Sequence, residues 1–296
     1  MGGINLEKIG FIVDSGSDVP KEFVDKFEIE VLPLNVAFSE GEYLDGVTIQ
    51  PQEVFERMAN EIPKTSLPSG ELIEKAFKNL IAKGCTHIIA VTISSNLSGT
   101  NNSIRLIAED FPEVECFLLD TKNIGIGSGL FMIAATKYLE MKNDFQMITK
   151  KLQDSVEKGH VFFHIPNLKY LIAGGRIGRV TGAVGTLLNI QPIITCDDEG
   201  IYTTIAKIRA SKSNNEGKIM KKMVELAKSV VPENQEFMIA TCGGNPSARV
   251  TAANLLEGLK ESLPNFSEAY DVQLSSALAV HTGPELTGCA ILPLYS

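Results

Sequence analysis

The chain contains no tryptophan, and aromatic residues make up only 7% of its 296 residues. Recognition of bases usually relies on stacking against aromatic side chains, so the composition does not favour that function. Basic residues are also in deficit, because 27 lysines and arginines face 36 acidic residues and leave a formal net charge of −9. A binder of duplex nucleic acid needs a strongly basic surface, so the charge balance argues against that class of protein too.

Paired cysteines and long apolar runs are also missing. The five cysteines are widely spaced and no CxxC pair exists, which is typical of buried thiols in a reducing compartment. The first ten residues lack the apolar core of a secretory signal peptide. No apolar stretch approaches the ~20 residues that a membrane-spanning helix needs. We therefore expect a cytoplasmic protein without stable membrane insertion.

Common catalytic signatures are absent as well. The sequence has no GxSxG elbow and no GxxxxGK[ST] phosphate loop, and its four histidines show no metal-ligand spacing such as HExxH. Residues Gly125–Gly129 form GxGxG rather than the GxGxxG of a dinucleotide site, so we interpret these glycines as a means of close helix packing. We expect no metal ion and no cofactor.

The order of apolar segments predicts an α/β fold. Hydrophobic residues make up 44% of the chain, enough for a substantial core. In the first half, β-branched runs alternate with amphipathic segments of helical period, a rhythm typical of a parallel sheet with helices on both faces. Residues 30–36 form one of the predicted strands. Near residue 160 glycines and turn signals become frequent. We predict two α/β domains, a Rossmann-like domain over 1–160 and a second domain with a mixed sheet and helices over 161–296.

Three short segments rich in hydroxyl groups are the best candidates for a binding site. They are Lys64–Pro68, Ile93–Thr100 and His281–Pro284. Ser94 and Ser95 follow a predicted strand and precede a predicted helix, whose first N–H groups would point at an anion. We interpret Thr65 as a loop residue and His281 as the end of an apolar run. If the three segments converge, they form a neutral site for an anionic head group.

Other interpretations of the same residues stay open. Ser94, Ser95 and Ser98 could be ordinary turn and capping residues, with Ser98 as the cap of the helix that follows, and His281 could be an ordinary loop histidine. An enzyme, either a hydrolase or a phosphotransferase, could use Ser95 as nucleophile and His281 as base, with Asp14 completing a triad. Arg176 and Arg209 could be solvated surface charges or a docking patch for an acidic partner.

Taken in order, six short motifs resemble the DegV family of bacterial fatty-acid-binding proteins. They are Val13–Asp18, Thr65–Pro68, Ser94–Thr100, Asp120-Thr121, Gly174–Ile177 and His281–Pro284. The resemblance implies a two-domain fold with a long-chain fatty acid, such as palmitate, stearate or oleate, buried between the domains. It implies a lipid-binding subunit rather than an enzyme.

The resemblance also implies roles for single residues. Thr65, Ser94 and Ser95 would hold the fatty acid carboxylate, with His281 nearby. Family members of the fatty acid kinase system present this carboxylate to a separate ATP-dependent kinase, which makes acyl-phosphate for phospholipid synthesis. Arg176 is the candidate contact for that kinase, and Arg209 adds to the same basic region.

The chain departs from the family pattern at three places. Leu67 stands where glutamine is usual, Gly178-Arg179 where serine is frequent, and Glu285-Leu286 where small residues are usual. Glu285 would change the charge near the head group. Apolar residues that could line the acyl tunnel are Phe131, Met132, Ile133, Leu187, Leu188 and Ile190. Three hypotheses remain: an acyl carrier, an enzyme, and a lipid-responsive protein that binds a partner other than a kinase.

Overall fold

The fold was analysed in a computed structural model, which describes residues 7–183, 190–209, 215–231 and 234–295. The strands are β1 (Ile9–Asp14), β2 (Glu30–Leu32), β3 (Asn35–Phe38), β4 (Gly41–Leu44), β5 (Lys64–Ser66), β6 (His87–Thr92), β7 (Glu115–Asp120), β8 (His160–His164), β9 (Ile190–Cys196), β10 (Tyr202–Arg209), β11 (Phe237–Gly243), β12 (Phe266–Gln273) and β13 (Thr287–Pro293). The α-helices are α1 (Lys21–Lys26), α2 (Pro51–Arg57), α3 (Gly70–Ala82), α4 (Thr100–Ala108), α5 (Ile126–Glu140), α6 (Phe145–Ser155), α7 (Lys169–Ala173), α8 (Asn215–Val230), α9 (Pro246–Ser262) and α10 (Ser276–Thr282).

The first half of the chain forms a parallel sheet. Its strand order is β2-β1-β6-β7, and all three pairings are parallel. Strands β1 and β6 are buried along almost their whole length, as continuous apolar runs in a doubly covered sheet should be. Helices α3 and α4 pack on one face, and α5 and α6 on the other. This confirms the predicted parallel sheet with helices on both faces.

The second half forms a mixed sheet of six strands in the order β10-β9-β8-β13-β11-β12. All its pairings are antiparallel except the one between β11 and β12. Helices α8 and α9 cover its outer face, and α5 packs on its inner face. The α/β class is confirmed. The predicted boundary at residue 160 coincides with the start of β8.

A small antiparallel sheet, β4-β3-β5, corrects two sequence expectations. The single strand expected over 30–36 is wrong, because the chain breaks there into β2 and β3, which belong to different sheets. Thr65 lies in strand β5 rather than in a loop, with Val36 as its partner on β3. Three residues are too short a run for alternation to reveal a strand.

Helix α10 covers the apolar run before His281, which the sequence alone does not assign to a helix or a strand. Ser275 is its N-cap residue in extended conformation, and α10 is buried except at His281. A short apolar run does not distinguish a buried strand from a buried helix. The helix is favoured here by contacts from distant segments, which a local pattern does not contain.

Helix α5 packs between the two large sheets. It is buried nearly all round, and it approaches its neighbours through glycines. A Cβ atom at Gly129 would lie less than 3.0 Å from the carbonyl oxygen of Ser17, and one at Gly127 would lie 2.9 Å from the Cβ atom of Val161. Real Cβ atoms do not approach so closely, so the interpretation of these glycines as helix-packing residues is confirmed.

Two buried carboxyl groups hold the start of α10. One oxygen of Asp18 accepts the backbone N–H of Ser275 at 3.0 Å, and one oxygen of Asp45 accepts that of Ser276 at 3.0 Å. Both carboxyl groups are over nine-tenths buried, and burial raises the pKa of each. Acceptors at a helix N-terminus satisfy N–H groups that have no partner within the helix.

A third carboxyl group, that of Asp14, is buried at the carboxyl end of β1. It accepts the backbone N–H of Ile93 at 2.8 Å and so ties the ends of β1 and β6 together. Burial raises its pKa to about 7, and the N–H of Ile93 and the hydroxyl of Ser17 oppose that rise. At pH values above the ordinary aspartate pKa of 3.8 and below about 7, the folded state therefore keeps a proton at Asp14 that the unfolded chain has released.

The raised pKa of Asp14 predicts a specific pH dependence. A carboxyl group whose pKa is higher in the folded state stabilises the fold at low pH, and that stabilisation is lost as the pH rises through the folded pKa. We expect the free energy of unfolding of the wild type, relative to that of Asp14→Asn, to fall by about 2 kcal/mol between about pH 5 and about pH 7.5. Urea unfolding at several pH values measures this difference.

The matched control for this measurement is Asp110→Asn, because Asp110 is exposed at the end of α4. Its free energy of unfolding relative to the wild type should stay level over the same pH range. A level difference for Asp14→Asn as well would contradict the assignment of a buried, protonated carboxyl group at Asp14.

Candidate functional site

Two of the predicted site residues meet in the fold. The hydroxyl oxygen of Thr65 on β5 lies 2.7 Å from Nε2 of His281 on α10. β5 is held by its pairing with β3, and α10 by the carboxyl groups of Asp18 and Asp45. Segments far apart in the sequence therefore supply the two halves of one hydrogen-bonded pair.

The imidazole of His281 is neutral at physiological pH. Burial, and secondly the nearby guanidinium of Arg176, lowers its pKa to about 4. A Cβ atom at Gly174 would lie less than 3.0 Å from Nδ1 of His281, so only glycine leaves room for the ring. Within the described residues Nδ1 has no hydrogen-bond partner, although it is buried. Such a group can bond a ligand that enters the site.

Arg176 brings a positive charge to the same place. Its Nη1 donates to the carbonyl oxygen of Gly174 at 2.7 Å, and its Nε to that of Leu97 at 3.5 Å. The guanidinium lines the cavity beside His281. The expectation of a neutral site is therefore wrong. The sequence placed Arg176 at a partner surface because the loop after α7 has no period that shows which way it folds.

These side chains stand at the mouth of a cavity of about 230 Å³. Its lining consists of Leu34, Thr65, Ser66, Leu67, Ile93, Leu97, Ser98, Ile124, Arg176, Tyr202, Ala277, Leu278 and His281. Among these described residues there is one cation and no carboxylate. Hydrogen-bonding groups and a positive charge at the opening, with aliphatic side chains behind them, suit an amphipathic anion.

A narrow apolar space of about 20 Å³, the apolar extension, adjoins this cavity. The two spaces share Ile124, Tyr202 and Leu278 as walls. The remaining lining of the extension is Gly125, Ile126, Val161, Phe163, Cys242, Leu274, Thr282 and Leu286. The extension thus lies between the start of α5 and the inner face of the six-stranded sheet.

Ser94 and Ser95 have other partners. The hydroxyl of Ser95 donates to Asp120 at 2.5 Å, and its backbone N–H donates to the same carboxylate at 3.1 Å. The buried hydroxyl of Ser94 accepts the N–H of Asn96 at 3.2 Å. Neither side chain is in the cavity lining, whereas Ser98 is. The sequence suggested Ser98 only as a cap, and its hydroxyl does accept the first N–H of α4, that of Thr100.

The pairing suggested for the enzyme hypothesis does not form. His281 bonds the hydroxyl of Thr65, and the hydroxyl of Ser95 bonds Asp120. Asp14 is occupied by the N–H of Ile93. A nucleophile and its base must lie within hydrogen-bond reach of each other, so these three residues do not constitute a triad.

Other predicted residues lie elsewhere. Arg209 is exposed at the end of β10, outside the lining of the cavity and of its extension. Glu285 is exposed and lines a different cavity, so it does not change the charge at the mouth. Leu187 and Leu188 lie outside the described residues. Of the other tunnel candidates, Phe131, Met132, Ile133 and Ile190, none is in the lining of the cavity or its extension.

The described ranges contain neither a candidate metal site nor a helix able to span a membrane. No group of three or more histidine, cysteine, aspartate or glutamate side chains there could hold a metal ion. None of the helices in those ranges combines the length and the apolar character needed to cross a membrane.

Comparison with known families gives one match along nearly the whole chain. A model of the DegV family matches residues 8–294. A DegV domain-containing protein of Clostridium acetobutylicum is 37% identical over 286 residues, which cover 97% of this chain and 99% of the relative. Another from Clostridium perfringens is 35% identical over 286 residues, with the same coverage.

Solved structures with the same fold include proteins that are described as binding a fatty acid. A DegV family protein from Thermus thermophilus, described as binding a fatty acid, superposes with a TM-score of 0.88 at 27% identity, covering 97% of this chain and 100% of that one. A stearic acid-binding protein from Eubacterium ventriosum gives a TM-score of 0.84 at 28% identity, covering 97% and 98%.

The environment of His281 predicts its titration. NMR titration of the imidazole should show a pKa of about 4 in the wild type. Arg176→Gln should raise that pKa, because the guanidinium no longer repels the protonated ring. His164 is the matched control, since burial alone lowers its pKa to about 4 and the variant should leave it unchanged. A pKa near 6.5 for His281 in the wild type would contradict the buried site.

Proposed function

The chain belongs to the DegV family, and on that basis we propose that it binds a long-chain fatty acid. The carboxylate would occupy the mouth formed by Thr65, His281 and Arg176. The acyl chain would occupy the apolar side of the cavity and enter the apolar extension, whose volume of about 20 Å³ has to widen around it. The observation that carries the proposal is the adjacency of this polar mouth and the apolar space along α5, which share three lining residues. The fatty acids described for the similar structures support it.

The mouth offers the carboxylate several bonds. A carboxylate taken out of water needs hydrogen bonds or a positive charge, otherwise it takes up a proton instead. The Thr65–His281 hydrogen bond uses one proton of the pair and leaves one to donate to the carboxylate, from the Thr65 hydroxyl or from Nδ1 of the neutral imidazole according to the tautomer. The guanidinium of Arg176 adds a charge-assisted hydrogen bond. The hydroxyl of Ser98 lines the same space.

Ser94 and Ser95 contribute indirectly in this proposal. The hydroxyl of Ser94 is engaged by Asn96 within the segment between β6 and α4, and that of Ser95 by Asp120 at the end of β7. They would hold that segment so that Leu97 and Ser98 face the cavity. Binding would then depend on these serines through the shape of the loop rather than through contact with the carboxylate.

The acyl chain supplies most of the binding free energy. Burying about 14 methylenes at ~0.8 kcal/mol each gives on the order of 11 kcal/mol, before the costs of ordering the ligand. Aliphatic side chains such as those of Ile93, Ile124 and Leu278 suit this purpose. A ligand held to this extent should stay with the protein through purification.

The first test is mass spectrometry of an organic extract of the purified native protein. We expect close to one long-chain fatty acid per chain. An extract without fatty acid would overturn the proposal, and it would direct attention to a smaller anion at the same mouth.

A variant series tests the head-group contacts. Thr65→Val removes one donor to a charged group, which should weaken fatty acid binding about tenfold or more. Thr65→Ser keeps the hydroxyl and is the matched control, with near-normal binding. Ser95→Ala should weaken binding less than Thr65→Val does, because the Ser95 hydroxyl bonds Asp120 and affects the cavity only through the shape of the loop. Equal loss in Ser95→Ala and Thr65→Val would contradict the indirect role of Ser95.

We further propose that the bound carboxylate is presented to a separate ATP-dependent fatty acid kinase, for acyl-phosphate formation and phospholipid synthesis. The absence of a phosphate loop from the sequence supports catalysis on a partner rather than on this chain. Exposed apolar residues close to the mouth, Leu67 at 38% and Ile172 at 51% exposure, suit a contact surface. Arg176 and Arg209 are the basic residues proposed for that contact.

Arg209 gives this partner proposal its test. Arg209→Ala should leave the extracted fatty acid unchanged, since Arg209 is exposed outside the cavity. The same variant should lower the rate of acyl-phosphate formation severalfold when a bacterial fatty acid kinase and ATP are added. Lys228→Ala, on the exposed outer helix α8, is the matched control. Equal rates in both variants would exclude Arg209 from the contact.

A further inference from the structure

A second cavity, of about 320 Å³, lies on the outer face of the six-stranded sheet. It is bounded by the first turns of α8 and α9 and by residues of β8, β9 and β13. Its lining consists of His164, Pro166, Gln191, Asn215, Glu216, Ile219, Met220, Met223, Asn245, Ser247, Ala248, Thr251, Glu285 and Thr287. None of these residues lines the fatty acid cavity or its extension.

His164 is the reason to regard this cavity as a binding site. It ends β8 on the face covered by α8 and α9, and only 8% of its surface is exposed. Its Nε2 is buried and has no hydrogen-bond partner among the residues that the structure describes. Burial lowers its pKa to about 4, so the ring is neutral and offers a hydrogen bond rather than a charge. A buried polar atom without a partner destabilises the fold, and a ligand that bonds it would remove that cost.

The cavity has regions of opposite polarity. Helix α9 is 17 residues long, and Asn245, Ser247 and Ala248 at its start bring the positive end of the helix to the cavity. The side chain of Asn245 takes the N–H of Ala248 at 3.0 Å and Pro246 has no N–H, so the N–H of Ser247 is the donor that this turn offers to a ligand. Glu216 and Glu285, both exposed, supply negative charge to the same lining, and no lysine or arginine is among the described lining residues. An anion would be repelled by the two carboxylates, and a cation by the helix end. A zwitterion satisfies both regions.

The third part of the cavity is apolar. Ile219, Met220 and Met223 on α8 form a wall beside the charged groups, together with Ala248 on α9. Methionine side chains adapt to ligands of differing shape, so the wall suits an aliphatic or thioether group.

We propose that this cavity binds a free α-amino acid with an aliphatic or thioether side chain. Its carboxylate would face the first turn of α9, its ammonium group the carboxylates of Glu216 and Glu285, and its side chain the wall on α8. Nε2 of His164 supplies a further hydrogen bond to the ligand. The chain would then respond to an amino acid at a site separate from its fatty acid.

Calorimetric titration of the full chain tests this proposal with L-leucine and L-methionine as probes. We expect at least one of them to bind with a Kd of about 1 mM or tighter. Two analogues of leucine carry only one of its charges: 3-methylbutylamine lacks the carboxylate, and 4-methylpentanoate lacks the ammonium group. Each should bind about tenfold more weakly or worse. Failure of both amino acids to bind, or equal binding of an analogue, would overturn the proposal.

A pair of variants tests the location. Glu285→Gln should weaken amino acid binding about fivefold, because the ammonium group loses a charged partner. Glu261→Gln, near the other end of α9, is the matched control and should bind like the wild type. Fatty acid in organic extracts should be the same in both variants, so failure here is distinguishable from failure of the fatty acid proposal. Equal amino acid binding in the two variants would exclude this cavity.

Discussion

The packing of α5 against both large sheets is the constraint on which the rest of the structure depends. One helix serves as the inner layer of the parallel sheet and of the mixed sheet, and glycines let it approach Ser17 on one side and Val161 on the other. Because α5 is apolar nearly all round, its removal from water stabilises both halves together. The start of the same helix lines the apolar extension. The space proposed for the acyl chain therefore lies where the two halves of the chain pack together.

The polar mouth depends on a second long-range link, through α10. Its first N–H groups are bound by carboxyl groups from the first half of the chain, and its last turn brings His281 to Thr65. A seven-residue helix is too short to be stable by itself. Tertiary contacts therefore set the position of α10 at both ends. The geometry of the site depends in this way on the carboxyl groups of Asp18 and Asp45, which do not line the cavity.

The sequence predicted the layers of the fold better than the details of the site. Long β-branched runs such as β6 are sufficient to predict buried parallel strands. The six motifs of the DegV resemblance include the segments of Thr65 and His281, which meet in the fold. The structure brings Thr65 and His281 together, but strand β5 and helix α10, which carry them, could not be predicted because three and seven residues contain too little pattern. Arg176 and Ser98 were assigned other roles, since the direction of a side chain in an irregular loop depends on contacts that only the folded chain reveals.

The contact between Gly174 and His281 also limits how such a chain can evolve. The two residues are distant in sequence, yet a side chain at position 174 would occupy the space that the imidazole needs. The demand for glycine at 174 therefore exists only while histidine stands at 281. A lineage that first exchanged His281 for a small residue would lift that demand, whereas the reverse order would be harmful at its first step. The substitutions tolerated at position 174 thus depend on which residue stands at position 281, a case of epistasis with a steric cause.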